Sequence, residues 1–402
     1  MTTMSSSAVP AKLGRQPTLD GIRGLAILAV LAAHFDWPWL PGGFLGVDIF
    51  FALSGFLITT LLLDEQFESG GISLRYFFAR RAIRLYPALV ALVIVSTAFS
   101  LLFHHEISMR QDLWNAVGVL TYEVNWQDLA DPNGWHGGMP HTWSLAIEVQ
   151  FYIVWAVTIA FLSRRFGAVQ ERSKLLNILT AIAIIVVIAS AGWRAVLWVQ
   201  QTRWLRMYLG TDTRLDAVFI GALAALIRLR FLAAPEKVRW LTSTGRIAIS
   251  ILESICALVL AVLLVTLHWE KALPGMIAFA LAGGVTAVLI LTTTLRADSL
   301  FGWVLGAPVL RWFGRISYSL YLWHVPVEKF ATSQSLIALG LPPLVAEGVR
   351  LAVAIISGVI SYHLIEQTFL RLKRRFEPSL SQAEANGPTA LLEHEVRPDT
   401  AV

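Results

Sequence analysis

The chain has 402 residues, of which 56% are hydrophobic and only 15% charged, with a formal charge of +5 and a mean hydropathy of +0.64. A soluble domain carries roughly 25% charged residues, so this length implies one helical membrane bundle rather than two or three soluble domains. The positive excess is no nucleic-acid signal, because the basic residues sit between apolar runs. With Cys256 as its one cysteine, the chain has no intrachain disulfide and no cysteine metal cluster, and no metal is expected.

Residues 1–18 are polar and small and lack the apolar core and cleavage site of a signal peptide. They read as a cytoplasmic tail. Apolar runs long enough for a hydrocarbon core of roughly 30 Å predict an all-α polytopic bundle within 19–366. Its ten helices are expected near 20–36, 43–63, 83–103, 144–163, 176–199, 213–232, 246–268, 273–295, 315–335 and 343–366. Residues 367–402 turn basic and then polar and read as a disordered tail. Alternate linkers are rich in Lys and Arg (Arg75, Arg80, Arg81, Arg84; Arg164, Arg165, Arg172, Lys174; Arg228, Arg230, Lys237, Arg239, Arg246), while the linkers between them hold few (Arg110, Arg203, Arg206, Lys271). The positive-inside rule then puts both termini in the cytoplasm of a multi-pass inner or plasma membrane protein.

Ionisable groups inside membrane helices are costly and mark function by default. The first helix carries Asp20, Arg23 and His34. Asp20 and Arg23 are about one turn apart and can pair, at a site or as an interfacial cap. Arg23 and His34 share a face, separated by roughly 16 Å along the axis. The second helix enters through Gly42-Gly43-Phe44-Leu45-Gly46, glycines that permit close packing. It then sets Asp48 at a depth similar to His34, where a carboxylate can orient the imidazole. In the loop before the third helix, Arg80, Arg81 and Arg84 are spaced to share one side of a helix, which suits phosphate and equally serves the positive-inside signal. The fourth helix places Ser144, Glu148 and Tyr152 on one stripe. Glu148 is a general acid/base or an ion-pair partner, and Trp143 is a stacking surface or a belt tryptophan. The aromatic segment 104–143, with Trp114, Tyr122, Trp126, Trp135 and His136, suits interfacial anchoring or sugar binding. Arg214 and Asp216 read as a structural salt bridge. Ser317, Tyr321 and His324 share one face of the ninth helix, for packing or for a site.

Six stretches, in order, resemble the motifs of the membrane acyltransferase-3 family: LDGIRGLAILAVLAAHF (19–35), GGFLGVDIFFALSGFLIT (42–59), FFARRAIRLYPAL (77–89), HTWSLAIEVQFY (141–152), RLDAVFIGA (214–222) and GRISYSLYLWHVP (314–326). The resemblance runs from about 19 to 366. The family's Arg and His, with ten residues between them, fall on Arg23 and His34. The resemblance implies transfer of an acyl group, commonly acetyl, from cytoplasmic acyl-CoA to hydroxyls of carbohydrate, peptidoglycan or glycolipid, or in some relatives of macrolides. Acyl-CoA is then a substrate and no cofactor stays bound. It also implies that His34 is catalytic and that the arginines of 80–84 contact CoA. Some relatives carry an extra extracytoplasmic hydrolase-like domain; the stretch after the last helix is too short for one, which reads as a stand-alone membrane module.

The expected mechanism sets the CoA phosphates against Arg80, Arg81, Arg84 and Arg23, with Ser317, Tyr321 and His324 joining the donor-binding set. His34 acts as base on the acceptor hydroxyl or carries the acyl group itself. Asp48 or Glu148 holds its tautomer, and Asp20 and Arg23 complete the catalytic set. Buried His, Asp and Glu are also what proton-coupled carriers use, so a transporter or flippase is the alternative. A glycan-binding subunit relying on Trp143 and Trp135 is a third reading.

Overall fold

In the computed structural model the described residues are 13–14, 16–35, 37–103, 109–131, 139–234, 236, 245–268, 272–296 and 298–373. The regular structure among them is entirely helical. Its long helices are α1 (Pro17–His34), α2 (Gly46–Ser69), α3 (Leu74–Phe103), α4 (Trp143–Phe166), α5 (Arg172–Val199), α6 (Thr211–Leu232), α7 (Arg246–Thr266), α8 (Ala272–Leu295), α9 (Pro308–Phe330) and α10 (Pro343–Ser361). Each falls where an apolar run predicted one. Boundaries shift at several of them: α2 runs on to Ser69 and α9 spans Pro308–Phe330 rather than 315–335, and the chain departs from expectation at three more places. The arginine-rich stretch expected as a loop before the third helix is the first turns of α3, which Glu65 helps to start by accepting from the Ser73 N–H at 2.9 Å. The outer segment folds in part, into helices Met109–Thr121 and Val124–Ala130. After α10 a π turn (Tyr362–Glu366) and a further helix (Gln367–Lys373) carry helical structure past 366.

Contacts between helices fix their directions. Gly21, Gly24 and Arg23 of α1 meet Leu305, Leu310 and Ser317, and His34 meets Glu328, so α1 and α9 run parallel. Leu85 and Phe99 of α3 meet Tyr318 and Phe330 in the same sense. Asp48 and Asp64 of α2 lie beside Arg214 and Arg228 of α6 in the same order, so these helices are parallel, and they cross closely at Gly55 and Gly221 (a Cβ on either would overlap the backbone oxygen of Val218 or Ala52). Such small-residue contacts let backbones approach closely, and the predicted glycines of the entry to α2 do the same, Gly43 and Gly46 packing on the backbone oxygens of Ala29 and Ala26 in α1. Trp143 and Trp155 of α4 meet Phe51 and Thr59 of α2, and Phe279 and Gly283 of α8 meet Arg214 and Ala217 of α6, again in parallel. By contrast α1 opposes α2, α5 opposes α6 through Arg194–Asp216 and Thr180–Arg230, α7 opposes α8 through Arg246–Arg296, and α10 opposes α9 through Arg350–Glu328 and Glu366–Ser319. Odd helices therefore run one way and even helices the other, which is a polytopic serpentine.

Seven of these helices are long and apolar enough to cross a membrane by length and composition alone. The other three, α1, α6 and α9, carry much of the ionisable content. They pack on protein, α1 against α9 and α6 against α2 and α5, and protein neighbours accept polar groups that lipid would not. The outer helices instead expose large apolar side chains such as Ile94, Phe161, Ile188 and Leu258, as a membrane-facing surface requires.

Candidate active site

Helices α1, α2, α3, α4 and α9 line a partly open cleft, with about 730 Å³ of empty space reaching out into its mouth. The predicted stripe on α4 faces it with Ser144, Glu148 and Tyr152; α1 contributes Arg23, α2 Ser54, α3 Arg81 and Arg84, and α9 Ser317 and Tyr321. Arg23 donates through Nη2 and Nε to Ser317 Oγ at 3.0 and 3.2 Å. Tyr152 donates its hydroxyl to Glu148 at 2.7 Å, so the Ser54 hydroxyl 2.9 Å away is the donor to Tyr152. The Arg81 guanidinium lies 5.8 Å from the Tyr152 ring centre, and Glu148 sits in the field of both Arg23 and Arg81. The lining thus sets three guanidiniums against one carboxylate, an excess of positive charge suited to a phosphorylated ligand.

Two predicted members stand apart. Arg80 turns to α2 and pairs with Glu65 at 3.0 Å. Its long side chain reaches a carboxylate that helical spacing along α3 does not reveal. Asp20 lies outside the lining, and its backbone oxygen packs against Gly314, while the Arg23 head turns to Ser317.

A second polar group lies towards the other ends of α1 and α9. His34 Nδ1 is 2.8 Å from Glu328 Oε2, and its ring centre is 4.7 Å from that of His324. His324 is in turn 5.2 Å from His141. Each buried imidazole is anchored on backbone: His324 Nδ1 is 2.6 Å from Tyr321 O, and His141 Nε2 is 3.1 Å from Leu322 O. The second contact has a local cause. Pro326 has no N–H, so the carbonyl four residues earlier, Leu322, lacks its helical donor, and His141 supplies one. Tyr321 joins this group to the cleft. It lines the cleft, donates to His141 O at 2.9 Å, lies 2.6 Å from the Ser144 hydroxyl and places its ring 5.2 Å from His324.

The carboxylate on His34 is therefore Glu328, not Asp48 or Glu148. Asp48 pairs with Arg214 at 3.0 Å, both fully buried, and Asp216 pairs with Arg194 at 2.6 Å. Residues two apart on a helix do not face each other, which is why Arg214 and Asp216 take separate partners instead of forming the predicted bridge. Arg214 also lies 3.8 Å from the Phe279 ring centre, with Trp143 at 5.7 Å. Trp143 is itself buried at 3% exposure, so it is neither a belt residue nor an open stacking surface. Trp135 and His136 lie outside the described residues. Sequence reading missed Glu328 and His141. Glu328 continues the Ser317–Tyr321–His324 stripe by one further turn, a usable signal; His141 shows none without knowing where Leu322 lies.

A polytopic helical membrane protein with a cationic cleft, joined through one tyrosine to a histidine–carboxylate group, is the class these features define. The chain belongs to the acyltransferase-3 family, whose model, an acyltransferase domain, matches residues 16–363. It is 32% identical over 358 residues to the peptidoglycan O-acetyltransferase OatA of Listeria monocytogenes, covering 87% of this chain and 55% of that one. It is 33% identical over 364 residues to YrhL of Bacillus subtilis, provisionally named a peptidoglycan O-acetyltransferase, covering 87% and 54%. It is also 33% identical over 368 residues to a provisionally named O-acetyltransferase of Staphylococcus aureus strain MSSA476, covering 89% and 58%. The chain spans a little over half the length of these relatives. No solved structure matches it.

Proposed function

We propose that this chain is an integral membrane O-acyltransferase that moves an acetyl group from cytoplasmic acetyl-CoA to a hydroxyl of an extracytoplasmic carbohydrate, with peptidoglycan the favoured acceptor. The acceptor is argued from the relatives' names, and the cytoplasmic orientation of the termini and arginine mouth from the positive-inside pattern. The observation that carries the chemistry is the connection between the Arg23–Arg81–Arg84 cleft and the His34–Glu328 pair through Tyr321.

In this reading the CoA phosphates meet the three guanidiniums, and the pantetheine arm runs along α1 and α9. The helical rise puts Arg23 and His34 roughly 16 Å apart, comparable to an extended arm of that type. Glu328 accepts the Nδ1 proton of His34 and fixes the tautomer in which Nε2 is the free base, the role a third group plays beside a catalytic imidazole. Nε2 then takes the proton of the acceptor hydroxyl as oxygen attacks the thioester carbonyl; the C–S bond breaks, and the imidazolium returns its proton to the CoA thiolate, which leaves as the thiol.

The test is acetyl transfer from labelled acetyl-CoA to peptidoglycan fragments across proteoliposomes. His34→Ala is expected to abolish transfer while leaving the protein folded. Full transfer by His34→Ala, or solute flux without acyl-CoA, would overturn the reading.

A further inference from the structure

We infer that Arg350 is a positioning residue for the His34–Glu328 pair, acting from α10 on the last turn of α9. The inference rests on the reading of His34 as the reacting imidazole.

Arg350 is 5% exposed and reaches both helices that carry the pair, α9 at Glu328 and the end of α1 at Phe35. Its Nη2 donates to the backbone oxygen of Glu328 at 3.2 Å. Carbonyls in the last turn of a helix have no intrahelical donor, so this bond replaces one that α9 cannot make for itself. The guanidinium also lies 5.3 Å from the ring centre of Phe35, the buried residue that directly follows His34. One side chain thus holds both the backbone of the carboxylate and the anchor of the imidazole.

Its charge is already answered. Nη1 donates to both oxygens of Glu347, at 2.9 and 2.7 Å, and to Ser333 Oγ at 2.6 Å. Ser333 donates in turn to Glu347. Because Glu347 neutralises Arg350, the Glu328 carboxylate stays available to His34 rather than being drawn to the arginine. The two carboxylates therefore play different parts, since Glu347 balances the brace and Glu328 serves the imidazole.

The experiment compares Arg350→Met, Arg350→Lys, Glu328→Gln and the Met/Gln double variant in proteoliposomes. A displaced pair costs geometry rather than donor binding, so kcat for Arg350→Met should fall about 100-fold with KM for acetyl-CoA unchanged. Arg350→Lys should recover part of the loss. The double variant should lose less than the two single losses combined, because Arg350 acts in large part through Glu328. A second readout needs no turnover: diethylpyrocarbonate labelling of His34, measured by peptide mass spectrometry against the exposed His268 and His363. Labelling of His34 should depart from the parent rate in the same direction in Arg350→Met and Glu328→Gln. If Arg350→Met does not fold, Arg350→Lys carries both readouts. Parent-like kcat and labelling in the folded variant would overturn the inference, as would additive losses in the double variant. Failure of His34→Ala to lose transfer would instead strike the functional reading and leave the labelling result to judge the brace.

Discussion

Two sets of buried charges lie in this bundle, and they are built on opposite plans. Asp48, Arg214, Asp216 and Arg194 are at most 3% exposed. They pair two against two across α2, α5 and α6, with aromatic rings closing over Arg214. Arg23, Arg81, Arg84 and Glu148 are only partly buried, line an open cleft and leave guanidiniums in excess. Desolvating a charge is costly, and a close opposite charge offsets that cost only when the set is complete. The first set is balanced in charge within the protein, two carboxylates against two guanidiniums. The second has its carboxylates at a distance: Glu148 in the lining, and Glu366 behind it within the field of Arg23 and Arg84, so the cleft faces of the guanidiniums stay open to an anion, as the proposed donor would supply. Balance, more than burial, separates a brace from a binding site here.

The largest effect that would sharpen this contrast is expected from Arg214→Met. It strands Asp48 with no counter-charge, a loss of about 3–5 kcal/mol, enough to remove the folded peak in size-exclusion chromatography of detergent-solubilised protein. Asp48→Leu combined with Arg214→Met should restore that peak, because the whole pair is gone. An Arg214→Met protein that folds but no longer transfers acetyl would break the comparison and move the pair into the site. Next in size are Arg81→Ala and Arg84→Ala made singly. Each removes charge-assisted bonds of about 1.5–3 kcal/mol, so KM for acetyl-CoA should rise about 10- to 100-fold in initial-rate assays while the size-exclusion profile is kept. An unchanged KM would detach the cleft from the donor. The smallest effect belongs to Arg80→Ala. A partly exposed pair such as Arg80–Glu65 is worth about 0–1 kcal/mol, and transfer should stay within about twofold of the parent. A large loss there would show that Arg80 reaches the donor after all.

The sequence makes the ten helices legible because lipid demands long apolar runs and leaves little choice of structure within them. It misleads at the start of α3, where charged residues look like a loop, although Arg, Ala and Leu are strong helix formers. Stripes along one helix read well: Ser144, Glu148 and Tyr152 face the cleft as predicted. Partners across helices do not. The matching depths of Asp48 and His34 pointed to each other, but depth says nothing of bearing around the bundle, and Asp48 turns to Arg214 instead. Arg350 carries no local sign of its role, because its contacts come from α1, α9 and the Ser333 turn. Glu328 is the instructive miss. The motif ends at Pro326, yet the helix continues, since neighbours can satisfy the carbonyl that proline frees.

The pairing of α1 with α9 has a consequence for how the protein is made. Arg23 and Ser317 lie 294 positions apart in sequence, and at roughly 5–20 residues per second of synthesis the first helix leaves the ribosome roughly 15–60 s before its partner exists. During that interval Arg23 and His34 have no partners on α9 to face, and the wall that completes the cleft is made only after eight other long helices have been synthesised.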